Sequence, residues 1–117
     1  HVFGCAHPAS TFRHGRRELA GPDHRVILFA CDPETARLDH DLALDLARAG
    51  SRVLLVTTQP LPSIHPNMLA IRLASSTVET SECLAILPLQ WLCIELGLRQ
   101  GLAPGGFLRG SKVTTGE

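Results

Sequence analysis

The sequence predicts an α/β fold, a three-layer α/β/α sandwich built on a parallel sheet. Three observations carry that expectation. Residues 25–31 (R-V-I-L-F-A-C) and Arg52–Thr57 (R-V-L-L-V-T) are continuous apolar runs rich in branched side chains. Such runs mark strands covered on both faces, as in parallel sheets. Between them the leucines recur at helical spacing, and a strand, a helix and a second strand in that order form a βαβ unit with a right-handed crossover.

The elements follow in chain order. Residues 1–10 show no sustained period and carry Gly4 and Pro8, so an extended or looped lead-in is expected. Ser10 and Thr11 can cap a short helix near Phe12, with G-R-R-E-L as its body. Gly21-Pro22-Asp23 is a turn signal. After the first strand, Asp32 is expected as N-cap, Pro33 at the first helical position and Glu34 at the positive end of the helix dipole. Leu38, Leu42, Leu46 and Ala49 are then the buried stripe, and Arg37, Asp41, Asp45 and Arg48 face water. Gly50 closes the helix. The three prolines of residues 59–66 exclude helix or central strand, and residues 68–73 give a third, weaker strand. Polar residues 75–81 follow, with Ser76 or Ser81 available to cap a last helix over residues 81–98. That helix is apolar on nearly every face and interrupted by Pro88, so it is expected to be buried, in a core or against another subunit. It runs into Gly97 and Gly101, and the chain closes on a polar stretch holding Arg109, Ser111 and Lys112.

Composition bounds the function. At 117 residues the chain is at most one domain. With 11 basic and 11 acidic side chains the formal net charge is zero, so nothing argues for nucleic acid or an anionic membrane as partner. No apolar run approaches the ~18 residues of a spanning helix, and no signal peptide is evident. Cys5, Cys31, Cys83 and Cys93 form no C-x-x-C pair, and the last three lie in apolar runs. Reduced, buried thiols in a cytoplasmic protein are therefore expected. The chain begins at His1, not Met, and is expected to be a fragment or a trimmed product.

Most candidate constellations fail on spacing. The six histidines offer no H-x-x-x-H pair, so neither a metal nor another cofactor is expected. Ser10 or Ser111 lacks the G-x-S-x-G turn of a serine nucleophile. Arg13, Arg16 and Arg17 lie beside Glu18 without interleaved aromatics, which reads as a solvated helix face. Trp91 and Phe107 are core or interface residues, and Asp39, Asp41 and Asp45 form the wet face of a helix. His14 either packs a surface helix start or exchanges protons, and Lys112 is either a solvated amine or a reactive one.

Two motifs add a resemblance. The stretch PLQWLCIELGLRQGLAP followed by LRGSKVT resembles the C-terminus of sugar isomerase (SIS) domain proteins, the phosphosugar isomerases and aminotransferases. Phe12-Arg13-His14-Gly15 resembles the E-F-R-H-G-P signature of the same family, with Thr11 and Arg16 where Glu and Pro are usual. No Leu stands between Gly110 and Ser111, but Lys112 keeps its place before Val113 and Thr114. The resemblance implies a flavodoxin-like parallel sheet, incomplete at its N-terminus. Residues 1–117 would be the C-terminal SIS domain and 100–117 its active-site tail. It implies a hexose or amino-sugar 6-phosphate as ligand, and an aldose–ketose interconversion of that sugar as the reaction. It implies His14 as the acid/base of ring opening and Lys112 as the amine that meets the sugar carbonyl. Arg13, Arg109 and Ser111 would bind substrate. A homodimer through the 81–98 helix and the His14 region follows. The family's phosphate loops and catalytic glutamate would lie outside this chain, which alone should be a poor catalyst. The alternative is a non-catalytic sugar-phosphate-sensing or dimerisation module.

Overall fold

The computed structural model of the chain describes residues 4–15, 17–74 and 77–103. It is an α/β structure with a three-stranded parallel sheet, in two compact units, His1–Ala85 and Ile86–Glu117. The first unit holds the sheet. Its strands β1 (Arg25–Ala30), β2 (Arg52–Thr57) and β3 (Met68–Arg72) lie in the order β1-β2-β3. Both pairings are parallel, with Val26 opposite Val53 and Val53 opposite Met68. A helix α1 (Ala9–Gly15) and a 3-10 turn (Arg17–Leu19) precede the sheet, and α2 (Ala36–Arg48) joins β1 to β2.

The core lies between α2 and one face of the sheet. Leu42, Ala43, Leu46 and Ala47 pack on Ala30, Val53, Leu55 and Met68, with Phe12, Val26, Leu28 and Ala70 closing the edges. Alternation along each strand puts these sheet residues on one side. Burial of each large aliphatic there contributes about 2 kcal/mol, and the alanines let the helix sit close to the strands. On the other face Phe29 and Leu69 are exposed and Ile27, Leu54 and Ile71 are half-buried, while Val56 is fully buried. The expectation of strands covered on both faces therefore holds for β2 and not for β1. A run of apolar residues looks the same in a central strand and in an edge strand with one open face.

The helix α2 departs from expectation at its start and in its stripe. Asp32 does cap, but it caps a turn: its Oδ1 accepts the Glu34 N–H at 2.9 Å, and its carbonyl accepts the Thr35 and Ala36 N–H groups. The helix proper starts at Ala36, behind Thr35. Leu38 is 54% exposed and Ala49 is exposed too, while Ala36, Asp39, His40 and Ala43 are buried. Steps of four residues precess by about 40° each, so the row of leucines winds off the face that the alanines hold against the sheet. The carboxyl end is as expected. Gly50 adopts φ +98°, the Ser51 N–H reaches Leu46 O and the Gly50 N–H reaches Ala47 O, the paired bonds of a Schellman motif.

The last helix, α3 (Val78–Arg99), starts in the first unit and carries the second. Thr77 supplies its cap, accepting the Thr80 N–H at 3.2 Å. Of the two expected caps, Ser81 lies inside the helix and Ser76 is outside the described residues. Pro88 does not interrupt it. Gly101, at φ +71°, ends it with a second Schellman pair onto Gly97 O and Leu98 O. The expectation that this helix is buried fails within the chain. Trp91 is 72% exposed, and Ile86, Leu87, Ile94, Leu96 and Leu98 are exposed as well. Cys83 and Cys93 share that exposure, and Cys5 is exposed also, so only Cys31 approaches the burial expected of the thiols. No helix among the described residues is long and apolar enough to cross a membrane.

Candidate functional site

In a parallel sheet every strand ends on the same edge, and the loops leaving that edge are where α/β proteins hold ligands. Here the edge is the carboxyl end of β1 and β2. A cleft of about 520 Å³ opens there, lined by Pro33, Ala36, Arg37, His40, Asp41 and Thr57 and by the loop Gln59 to Pro62. Sequence and geometry explain why the loop stays open beside α2. Its prolines cannot pair as a strand, and four hydrogen bonds fix its path. Thr57 Oγ1 donates to Ala30 O at 2.8 Å and accepts the Gln59 N–H at 3.0 Å. Thr58 Oγ1 donates to Cys31 O at 3.2 Å. At the far end Asn67 Nδ2 donates to Ala47 O at 3.1 Å.

His40 is the buried polar group of the cleft. It is only 6% exposed, and its Nε2 lies 2.9 Å from the Ser63 carbonyl. A carbonyl can only accept, so Nε2 carries a proton and donates it to Ser63 O. Arg37 and Asp41 are exposed at the same mouth, and Gln59 is half-buried. The cleft thus offers a cation, a carboxylate, an amide and an imidazole to a small polar ligand. It does not offer a free helix amino terminus. The Glu34 N–H is already taken by the Asp32 carboxylate, which also sets a negative charge where an anion would otherwise be drawn.

The residues singled out from sequence fall into two groups. Arg13 and His14 sit in the last turn of α1. The Arg13 guanidinium donates to Asp39 Oδ1 at 2.8 Å, and Thr35 Oγ1 donates to Asp39 Oδ2 at 2.9 Å. This clasp ties α1 to the first turn of α2, and it corrects the reading of Asp39 as part of a wet face. Asp41 is exposed as expected. His14 is exposed beside the clasp. Arg109, Ser111 and Lys112, with Arg16 and Phe107, lie outside the described residues. His40, Arg37 and Gln59 were not singled out by spacing. The signal was there in hindsight: a histidine one turn behind a helix start, facing a loop that three prolines hold out of the sheet.

Burial pushes the Cys31 thiol above its ordinary value of 9.0, and its Sγ lies 3.7 Å from Val56 O. It is a packed, protonated group and not a nucleophile. Among the described residues no three His, Cys, Asp or Glu side chains gather in a way that could hold a metal ion. No protein-family model, curated protein or solved structure matches the chain.

Proposed function

We propose that the chain is a sugar-phosphate-binding lobe of the sugar isomerase type, and that it receives the sugar at the carboxyl edge of β1 and β2. The observation that carries the reading is the cleft itself: a largely apolar pocket with a few polar groups at its mouth, at the carboxyl edge of a parallel sheet. The two sequence motifs described above supply the class of ligand. Arg37, Asp41 and Gln59 suit hydroxyl groups, since together they donate and accept in several directions. The Asp32 carboxylate at the start of α2 disfavours the phosphate there. The phosphate is therefore held by groups outside the described residues, with Arg109, Ser111 and Lys112 of this chain as candidates. In this reading His14 and Lys112 serve ring opening and the carbonyl, in a site completed by another lobe or subunit. Four cysteines outside any disulfide fit the cytoplasmic setting that the reading brings with it.

A second reading has an observation of its own. The exposed apolar side chains of α3 favour a role in assembly, with the sugar phosphate sensed and not converted. Calorimetric titration with fructose 6-phosphate and glucosamine 6-phosphate tests the first reading. It predicts saturable binding, weakened about tenfold in Arg37→Ala and in Gln59→Ala, the value of one hydrogen bond to a polar ligand. Absence of heat with both sugars at millimolar concentration, or binding untouched by both substitutions, would sink it.

A further inference from the structure

The loop that walls the cleft is stiff along its length and is tied down mainly at its two ends. Pro60, Pro62 and Pro66 fix their own φ angles, and the residue before each is pushed toward extended backbone. No glycine stands between Thr57 and Met68 to serve as a hinge. At the start, the Thr57 and Thr58 hydroxyls bond to Ala30 O and Cys31 O. At the end, the Met68 N–H returns to His65 O at 2.8 Å and the Asn67 side chain reaches Ala47 O. Among the described residues one hydrogen bond reaches the span between, residues 60–64, and it runs from His40 Nε2 to Ser63 O at 2.9 Å. Leu61 adds an apolar hold, half-buried against the core. Apolar contact is non-directional and tolerates sliding, whereas a hydrogen bond fixes both distance and direction.

The two partners of that bond differ in what becomes of them without it. His40 is buried on α2 and lines the cleft, so its donor needs a partner inside the protein. Ser63 is exposed, as are Pro62 and Ile64 beside it, so water can take over the Ser63 carbonyl once the bond is broken. The bond therefore adds little to keeping the chain folded and much to where the loop stands. In a stiff span, loss of the middle support moves the whole wall that Pro60, Leu61 and Pro62 form.

We propose that His40 is the positioning residue of the cleft. Its Nε2–H holds Ser63 O as a catch, and the wall Gln59–Pro62 keeps its place only while that catch is closed. The role goes beyond the sugar-phosphate reading, since it concerns the wall of the cleft and not the occupant.

Nuclear magnetic resonance of the full chain tests the catch at two levels. In the unmodified chain the proton on His40 Nε2 should be visible as a slowly exchanging signal with cross-peaks to residues 63 and 64. Backbone order parameters at Leu61, Ser63 and Ile64 should be about 0.85, the value of rigid backbone. His40→Leu fills the space without a donor and should lower these three to below about 0.6, with β1 and β2 unchanged. His40→Gln carries an amide N–H the same number of bonds from the backbone and should restore them. Where glucosamine 6-phosphate binds the unmodified chain, it should bind His40→Leu about tenfold more weakly, because the competent wall is then only fractionally populated. A ring proton lost to rapid exchange, or a loop equally ordered in His40→Leu, would overturn the proposal. So would a loop that His40→Gln fails to restore, or strands that lose order along with the loop, since His40 would then serve the core alone. The ring proton of the unmodified chain decides even if His40→Leu fails to fold. A chain that binds no sugar sinks the proposed function alone, and the order parameters still decide the catch.

Discussion

Arg13 and Asp39 decide how the first helix is held. Asp39 is 5% exposed and has two donors, the Arg13 guanidinium and the Thr35 hydroxyl. Removing Arg13 leaves a buried carboxylate short of its counter-charge, whereas removing Asp39 frees a guanidinium that water can reach. Arg13→Ala should therefore cost about 2 kcal/mol in urea unfolding, and Asp39→Ala less. The figure lies below that for a wholly buried pair because 26% of the Arg13 side chain stays in water. Equal costs would show that the clasp does not bury charge.

Cys31 gives the second prediction at this scale. Burial favours its neutral thiol in the folded chain. Its contribution to stability is therefore complete below 9.0 and is lost as pH rises through the higher folded value. Exposed Cys83 and Cys93 should react with a thiol reagent first, and Cys31 only at higher pH. Equal rates for the three would contradict the packing around Val56. Asp39, Cys83 and Cys93 did not behave as their sequence contexts suggested. Asp39 read as wet because it alternates with Asp41 along the helix, and the partner that buries it stands 26 residues earlier. Cys83 and Cys93 read as buried because their neighbours are apolar, but on a helix such neighbours point in different directions, Ala85 buried and Ile94 exposed.

At the scale of elements, local chemistry was legible wherever it completes itself within a few residues. The two apolar strands, the Gly21-Pro22-Asp23 turn, the proline loop and the glycine ending of α2 are of this kind. Gly50 shows why. Its φ of +98° is costly for a side chain, and an added Cβ would meet Pro22 Cδ at 3.4 Å. The neighbouring Ser51 is fully buried and its Oγ accepts the Gly21 N–H at 3.0 Å. Gly50→Ala should lower stability by about 1–2 kcal/mol, read as a fall in the thermal midpoint, with β2 the strand whose amide protection suffers first. An unchanged midpoint would mean that the left-handed cap is not needed. What did not read from sequence was the orientation of each element about its own axis. Which side of α2 meets the sheet is decided by the small residues Ala36, Ala43 and Ala47, and the more hydrophobic Leu38 was misleading. Which side of α3 is covered depends on the tertiary fold.

The first unit is a parallel α/β layer with a cleft at the carboxyl edge of its sheet. The architecture was legible because strand, helix and strand follow one another in the chain. The cleft was not, since it joins Arg37 and His40 of α2 to Gln59 of a loop that sequence assigned only to irregular structure. The sequence motifs pointed to Arg13 and His14 and to Arg109, Ser111 and Lys112. The geometry adds His40, whose Nε2 is held by the Ser63 carbonyl. The most direct test of the ligand site is an amide-shift titration of the chain with glucosamine 6-phosphate. Shifts gathered in residues 36–41 and 57–62, with the phosphate-dependent part in 109–114, are the predicted result. Shifts confined to other parts of the sheet, or none at millimolar sugar, would contradict the assignment of the cleft.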